Sequence, residues 1–143
     1  MQDYAGDLNL FIENNVYSDS NYQNFDGKNI FMLTNFEDYL ELKDKIDFYF
    51  LLDVAHLKVS CKTLGLEFLP QLESLFSKTD YIHVSDNDNL HDSNDSISLK
   101  SSFLDTFKTH NSDLKTYTLE VYSSIEEIKD SYNLLTRIIN SGK

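Results

Sequence analysis

Four short runs of aliphatic and aromatic residues, Leu8 to Ile12, Phe48 to Leu52, Tyr81 to Val84 and Tyr117 to Leu119, recur along the chain with helix-length segments between them, and no other feature restricts the fold as much. Each run is of strand length and close to continuously apolar rather than alternating, which is the pattern of parallel strands covered on both faces. The segments between them repeat apolar residues at helical spacing. Phe36, Tyr39, Leu40 and Leu42 follow Thr34, which is available as a cap; Leu66, Leu69, Leu72, Leu75 and Phe76 follow Gly65. Pro70 falls early in the second of these, where a missing amide is tolerated, and predicts a kink or a helix restart near Leu66. A last helix is predicted with Ser124 as its cap, Glu127 three residues on, and Ile125, Ile128, Tyr132, Leu135 and Ile139 along one face. The chain is therefore an α/β protein of alternating strand and helix.

Its 143 residues make one domain, expected to span 1–143, because a chain of this size supports a single hydrophobic core and shows no linker, internal repeat or low-complexity stretch. A net charge of -12 argues against a nucleic-acid partner, since binding to a phosphate backbone depends on clustered Lys and Arg. No apolar run is long enough to span a bilayer, and the opening residues MQDYAGDLNLFIENN lack the basic start of a signal peptide, so a cytoplasmic protein without a membrane partner is expected. Cys61 is the only cysteine and is read as a packing thiol. The stretch Ser85 to Ser98, SDNDNLHDSNDSIS, is either a functional loop after a strand or a solvated acidic loop.

What stands at the strand ends narrows the chemistry. Glu13 follows the first run, Asp53 the second, His83 lies within the third with Asp86 after it, and Glu120 follows the fourth. The spacings of 40, 30 and 37 residues suit successive βα units, which run to about 31 residues each in an eight-unit barrel. A lone acid at a strand end is more often a helix cap or a solvated loop residue. Here, however, right-handed crossovers would bring all four ends to one face, where parallel sheets keep their active sites. Three carboxylates and an imidazole, with no thiolate, suit one divalent ion such as Mn, Mg, Co or Zn. His56, three residues after Asp53, offers a second polar group to the same cavity.

At these residues the sequence resembles the xylose isomerase-like TIM barrel superfamily, which includes sugar isomerases and epimerases, inosose dehydratases and endonuclease IV. IENN around Glu13 is similar to that family's fifth-strand glutamate motif, LLDVAHLKVS to its sixth-strand Asp-x-x-His motif, YIHVSDND to its seventh-strand histidine motif and TLEVY to its eighth-strand glutamate. The resemblance implies the C-terminal half, strands 5–8, of a TIM (β/α)8 barrel, with the first four units absent and Met1 just before the fifth strand. It also implies that Glu13, Asp53, His83 and Glu120 bind a single catalytic metal and that His56 contacts substrate. In the endonuclease branch an Asp-x-His pair follows the seventh strand; the nearest match here is Asp92-Ser93-Asn94, with His91 close by, so that histidine is replaced by Asn94.

The function so implied is metal-dependent isomerisation or epimerisation of a sugar or sugar phosphate. Glu13 and Glu120 would form the acid–base pair for proton transfer next to a carbonyl. Asp86 and Asp88 would contact further hydroxyls or support His83. A half-barrel leaves sheet edges that invite pairing, so the expected partner is a second copy or a separate N-terminal half. A non-catalytic remnant domain is the alternative reading, and endonuclease-like hydrolysis the last.

Overall fold

The computed structural model describes residues 8–110 and 114–141. In chain order its elements are β1 (Phe11–Glu13), α1 (Asp19–Asn24), α2 (Phe36–Lys45), β2 (Tyr49–Asp53), α3 (Val54–Leu64), α4 (Phe68–Phe76), β3 (Tyr81–Val84), α5 (Leu104–Thr109), β4 (Thr116–Leu119) and α6 (Ile125–Ser141). The four strands form one parallel sheet in the order β1-β2-β3-β4, so each unit lies beside the next, as in half of a TIM barrel. Register pairs Glu13 with Leu51, Asp53 with His83 and His83 with Thr118. The pairing climbs along the strands from β1 to β4, which is the stagger a barrel wall requires.

One face of the sheet is packed. Ile12, Phe50, Leu52, Ile82, Val84, Tyr117 and Leu119 meet a core that includes Leu57, Leu72, Phe76, Phe107 and Leu135 from the helices. The opposite, more open face carries Phe11, Tyr49 and Tyr81, with ring centroids 5.4 Å apart from Phe11 to each tyrosine. Phe11 is 37% and Tyr49 49% exposed. Cover on both faces, expected from the apolar runs, is therefore corrected to cover on one: the aromatics that make the runs continuous are the ones that line the open side.

The helix boundaries follow local chemistry. Asn35, rather than Thr34, caps α2 by accepting from the amide of Asp38 at 3.0 Å, while Thr34 donates to the Asp38 carboxylate. Ser124 and Glu127 form the expected reciprocal cap on α6. The break near Leu66 is a restart: Gly65 closes α3 at φ 69°, the Leu66 amide reaches back to the Cys61 carbonyl at 2.8 Å, and α4 begins with Pro70 in its first turn. Nothing lies within 4 Å of a Cβ built on Gly65, so Gly65→Ala is expected to cost only the left-handed backbone penalty, about 1 kcal/mol, read as a lower urea midpoint at unchanged m-value. Cys61 is buried, and burial pushes its thiol up to about 12, in keeping with a packing role. Among the described residues no helix is long and apolar enough to cross a membrane.

Candidate metal centre

Glu13 and Asp53 are the last residues of β1 and β2, His83 is the third residue of β3, and Glu120 follows β4 directly. One ligand atom from each lies within 4.8 Å of those of the other three, so the structure brings together all four residues expected from the strand ends. The His83 Nδ1 is 3.2 Å from Glu13 Oε1 and 3.0 Å from Glu120 Oε1. The hydrogen bond from His83 holds the Glu13 carboxyl below its usual range, and the same contact raises the imidazole above its own.

Asp53 is the buried member, 1% exposed. Its Oδ1 caps α3, accepting from the His56 amide at 2.8 Å; its Oδ2 is buried with no hydrogen-bond partner. Burial pushes this carboxyl up to about 6, against the opposing pull of His56. A buried carboxylate oxygen without a partner is costly unless a cation or donor joins it. Together with two more carboxylates and an imidazole within reach, it makes a donor set that fits a divalent ion of the Mn, Mg, Co or Zn class.

Two residues that the sequence did not single out for this role organise the cluster. Asn14, 1% exposed, clamps the end of β2 with both ends of its amide: Oδ1 accepts from the Asp53 amide at 2.6 Å, and Nδ2 donates to the Asp53 carbonyl at 3.0 Å. This fixes the ends of the strands that carry Glu13 and Asp53. Asp92 is the second. Its Oδ2 lies 3.2 Å from His56 Nε2, while His56 Nδ1 lies 2.9 Å from the Asn14 carbonyl and 3.9 Å from Glu13 Oε1. Burial lowers the His56 pKa, but Asp53, the Asn14 carbonyl, Asp92 and Glu13 together outweigh it, and the net shift is upward. Both ring nitrogens of His56 are thus engaged within the chain.

The remaining site residues are committed elsewhere. Asp86 pairs with the buried Lys58, accepts from Ser101 Oγ at 2.5 Å and from the Asn87 amide at 2.8 Å, and exchanges backbone hydrogen bonds with Asp95. Asp88 accepts from the amides of Leu90 and His91 and from the His91 ring, interactions that hold its carboxyl at about 2. Neither belongs to the four-residue cluster, and both organise the loop after β3. Asn94 accepts from Ser85 Oγ at 2.8 Å and is buried, so it does not join Asp92 at His56.

Neither a family model nor a curated protein matches the sequence. Among solved structures the chain is similar to one described as a D-tagatose 3-epimerase-like protein, with a TM-score of 0.69 and 15% identity. The match covers 99% of this chain and 49% of that one, so the chain spans about half the length of the protein it resembles. At such low identity the likeness is one of fold.

Proposed function

We propose that residues 1–143 are the C-terminal half of a xylose isomerase-like barrel, and that this half carries the metal centre of a cytoplasmic sugar isomerase or epimerase of carbohydrate metabolism. The observation that carries the reading is Asp53, whose Oδ2 is buried without a hydrogen-bond partner and whose carboxylate lies in one cluster with Glu13, His83 and Glu120. Those four residues would hold the ion, and a divalent ion there would supply Lewis-acid stabilisation of the oxygen beside the carbon that loses its proton. Glu13 ends one edge strand of the sheet and Glu120 directly follows the other, with His83 between them. One carboxylate removes the carbon-bound proton and the other returns it to the neighbouring position or to the opposite face. His56, held by Asp92 and Asn14, borders the substrate beside Glu13.

The open aromatic face completes the reading. Phe11, Tyr49 and Tyr81 would be covered by four further βα units, from a second copy or from a separate N-terminal half. Endonuclease-like hydrolysis finds less support, because Asn94 stands where that branch has a histidine and is turned to Ser85.

Metal content and mass of the purified chain test the proposal. Wild type is expected to hold a stoichiometric divalent ion in a discrete assembly, and Glu120→Ala to lose more than about tenfold in affinity, as removal of groups that tune a metal site commonly does. A wild type that binds no ion would leave a remnant half-barrel and end the enzyme reading.

A further inference from the structure

The helical layer ends in two exposed apolar surfaces. On α6, buried Ser131, Leu134 and Leu135 mark the side packed on the sheet. At about 100° per residue, Ile125, Ile128 and Tyr132 form a second apolar stripe roughly a quarter-turn further round. Ile125 is 71% and Tyr132 61% exposed. Right-handed crossovers set each unit on the same side of the one before, so α5 lies on one flank of α6 and this stripe faces the other.

At the opposite end of the layer a groove of about 320 Å3 runs against α2. Phe31, Met32 and Leu42 give it apolar walls, with Met32 63% exposed, and Asp38, Glu41 and Lys45 give it a charged rim. α2 meets α4 through Glu37 and Gln71 on its other side, so the groove too lies at the end of the layer. Stripe and groove are complementary in charge as well as apolarity. Lys129 flanks the stripe and has no ion pair among the described residues, whereas the groove offers the carboxylates of Asp38 and Glu41. Both helices run antiparallel to the strands, so across a seam between two copies they would lie side by side in the same direction.

The strand register fits the same closure. With the four clustered residues as one level, Glu13 pairs with Leu51, two residues below Asp53; Asp53 pairs with His83; and His83 pairs with Thr118, two below Glu120. This climb of four residues is half of the roughly eight that close an eight-stranded barrel. An identical sheet therefore closes the ring when the seams add no climb. Such a seam sets Phe11 of one copy beside Thr118 of the other, a large ring against a small side chain, as a layered barrel interior needs. It also sets Glu13 beside Glu120, each carboxylate already engaged by His83 of its own copy.

We infer that two copies of this chain close one barrel about a two-fold axis, each seating its α6 stripe in the other's α2 groove and setting its Glu120 beside the other's Glu13. Each metal centre is then bordered by a side chain of the second copy. The inference rests on the half-barrel reading above and names its partner.

Sedimentation velocity of the full chain, with metal content measured on the same samples, is the test. Wild type should sediment as a dimer. Tyr132→Asp, at an exposed position, should keep its circular dichroism and weaken the dimer about a hundredfold or more, because the lesion falls on both seams. Lys129→Glu and Glu41→Lys should each weaken it at least about tenfold by opposing like charges, and an equimolar mixture of the two should recover wild-type affinity, since every contact between these positions is then between opposite charges. A monomeric wild type, a dimer that Tyr132→Asp leaves intact, or a mixture no tighter than its components would overturn the inference. A monomer that still binds stoichiometric Mg2+ overturns this inference alone; a dimer with the expected behaviour that binds no ion overturns the sugar-isomerase reading and leaves the closure standing.

Discussion

At pH 7 without divalent ions, Asp53→Asn is expected to unfold with about 2 kcal/mol more free energy than wild type, although it removes a proposed ligand. Burial raises the Asp53 carboxyl from 3.8 to about 6, which makes the ionised form more costly in the folded chain than in the unfolded one. The sign follows from linkage: this residue's contribution to stability is fully present below pH 3.8 and is lost as pH rises through about 6. A shift of that size corresponds to about 3 kcal/mol at neutral pH. Asparagine keeps an oxygen to accept from the His56 amide and cap α3, and gives back part of the gain because its new NH2 needs an acceptor. Urea unfolding in chelator should show the variant more stable at pH 7 and level with wild type near pH 3.5. An ion at a hundred times its dissociation constant should then stabilise wild type by about 2.7 kcal/mol and the variant not at all, reversing the order. A variant less stable than wild type in chelator at pH 7 would sink the account of Asp53 as a buried charge awaiting a partner.

Lys58→Met is expected to cost about 3–5 kcal/mol, the largest loss among the substitutions considered. Lys58 is 8% exposed on α3 and reaches the loop after β3, where it meets the Asp86 carboxylate and donates to the Asn87 carbonyl at 2.7 Å. Removing the ammonium leaves Asp86 charged in a part-buried site with only Ser101 and the Asn87 amide to satisfy it. The double variant Lys58→Met, Asp86→Asn should recover a substantial part of the loss, since the neutral amide keeps one oxygen to accept from the Asn87 amide and its NH2 can donate to the Ser101 hydroxyl in place of Oδ2. Denaturant unfolding of the cycle measures the coupling. Hydrogen exchange at the Asp95 amide, which pairs with the Asp86 carbonyl at 2.7 Å, should quicken in the single variant. A loss below about 1 kcal/mol would mean that the ion pair does not anchor this loop.

The strand and helix order was legible because apolar clustering is a one-dimensional signal, but apolarity does not say which side of a sheet a residue faces. Phe11, Tyr49 and Tyr81 extend their runs just as Ile12, Phe50 and Ile82 do, yet they line the open face. Leu8 and Leu10 drew the first run too early; they are 70% and 38% exposed and lie outside β1, which begins at Phe11. The helices α1 and α5, six residues each, are too short to show a period. The four clustered ligands were legible because their chemistry recurs at strand ends, whereas the atoms that orient them were not. Asn14 meets Asp53 across 39 residues of sequence, and an asparagine in a polar stretch has no periodicity to betray that contact. Asp86 was expected to face the substrate or to support His83, both natural for an acid in a polar loop. Its partner Lys58 lies 28 residues earlier on a helix, and only the fold discloses the pair.

The cap on α3 bears on coordination number. Asp53 commits Oδ1 to the helix and keeps Oδ2 to offer, so it is a monodentate donor by construction. If Glu13, His83 and Glu120 each add one contact, the protein supplies four. A tetrahedral ion would then be saturated by side chains alone, as in a closed structural zinc site. A six-coordinate ion would keep two positions, the number that adjacent carbonyl and hydroxyl oxygens of a sugar can fill as a chelate. Under the proposed function, denticity at a single aspartate would thereby leave the substrate a place only on an ion that accepts more than four donors.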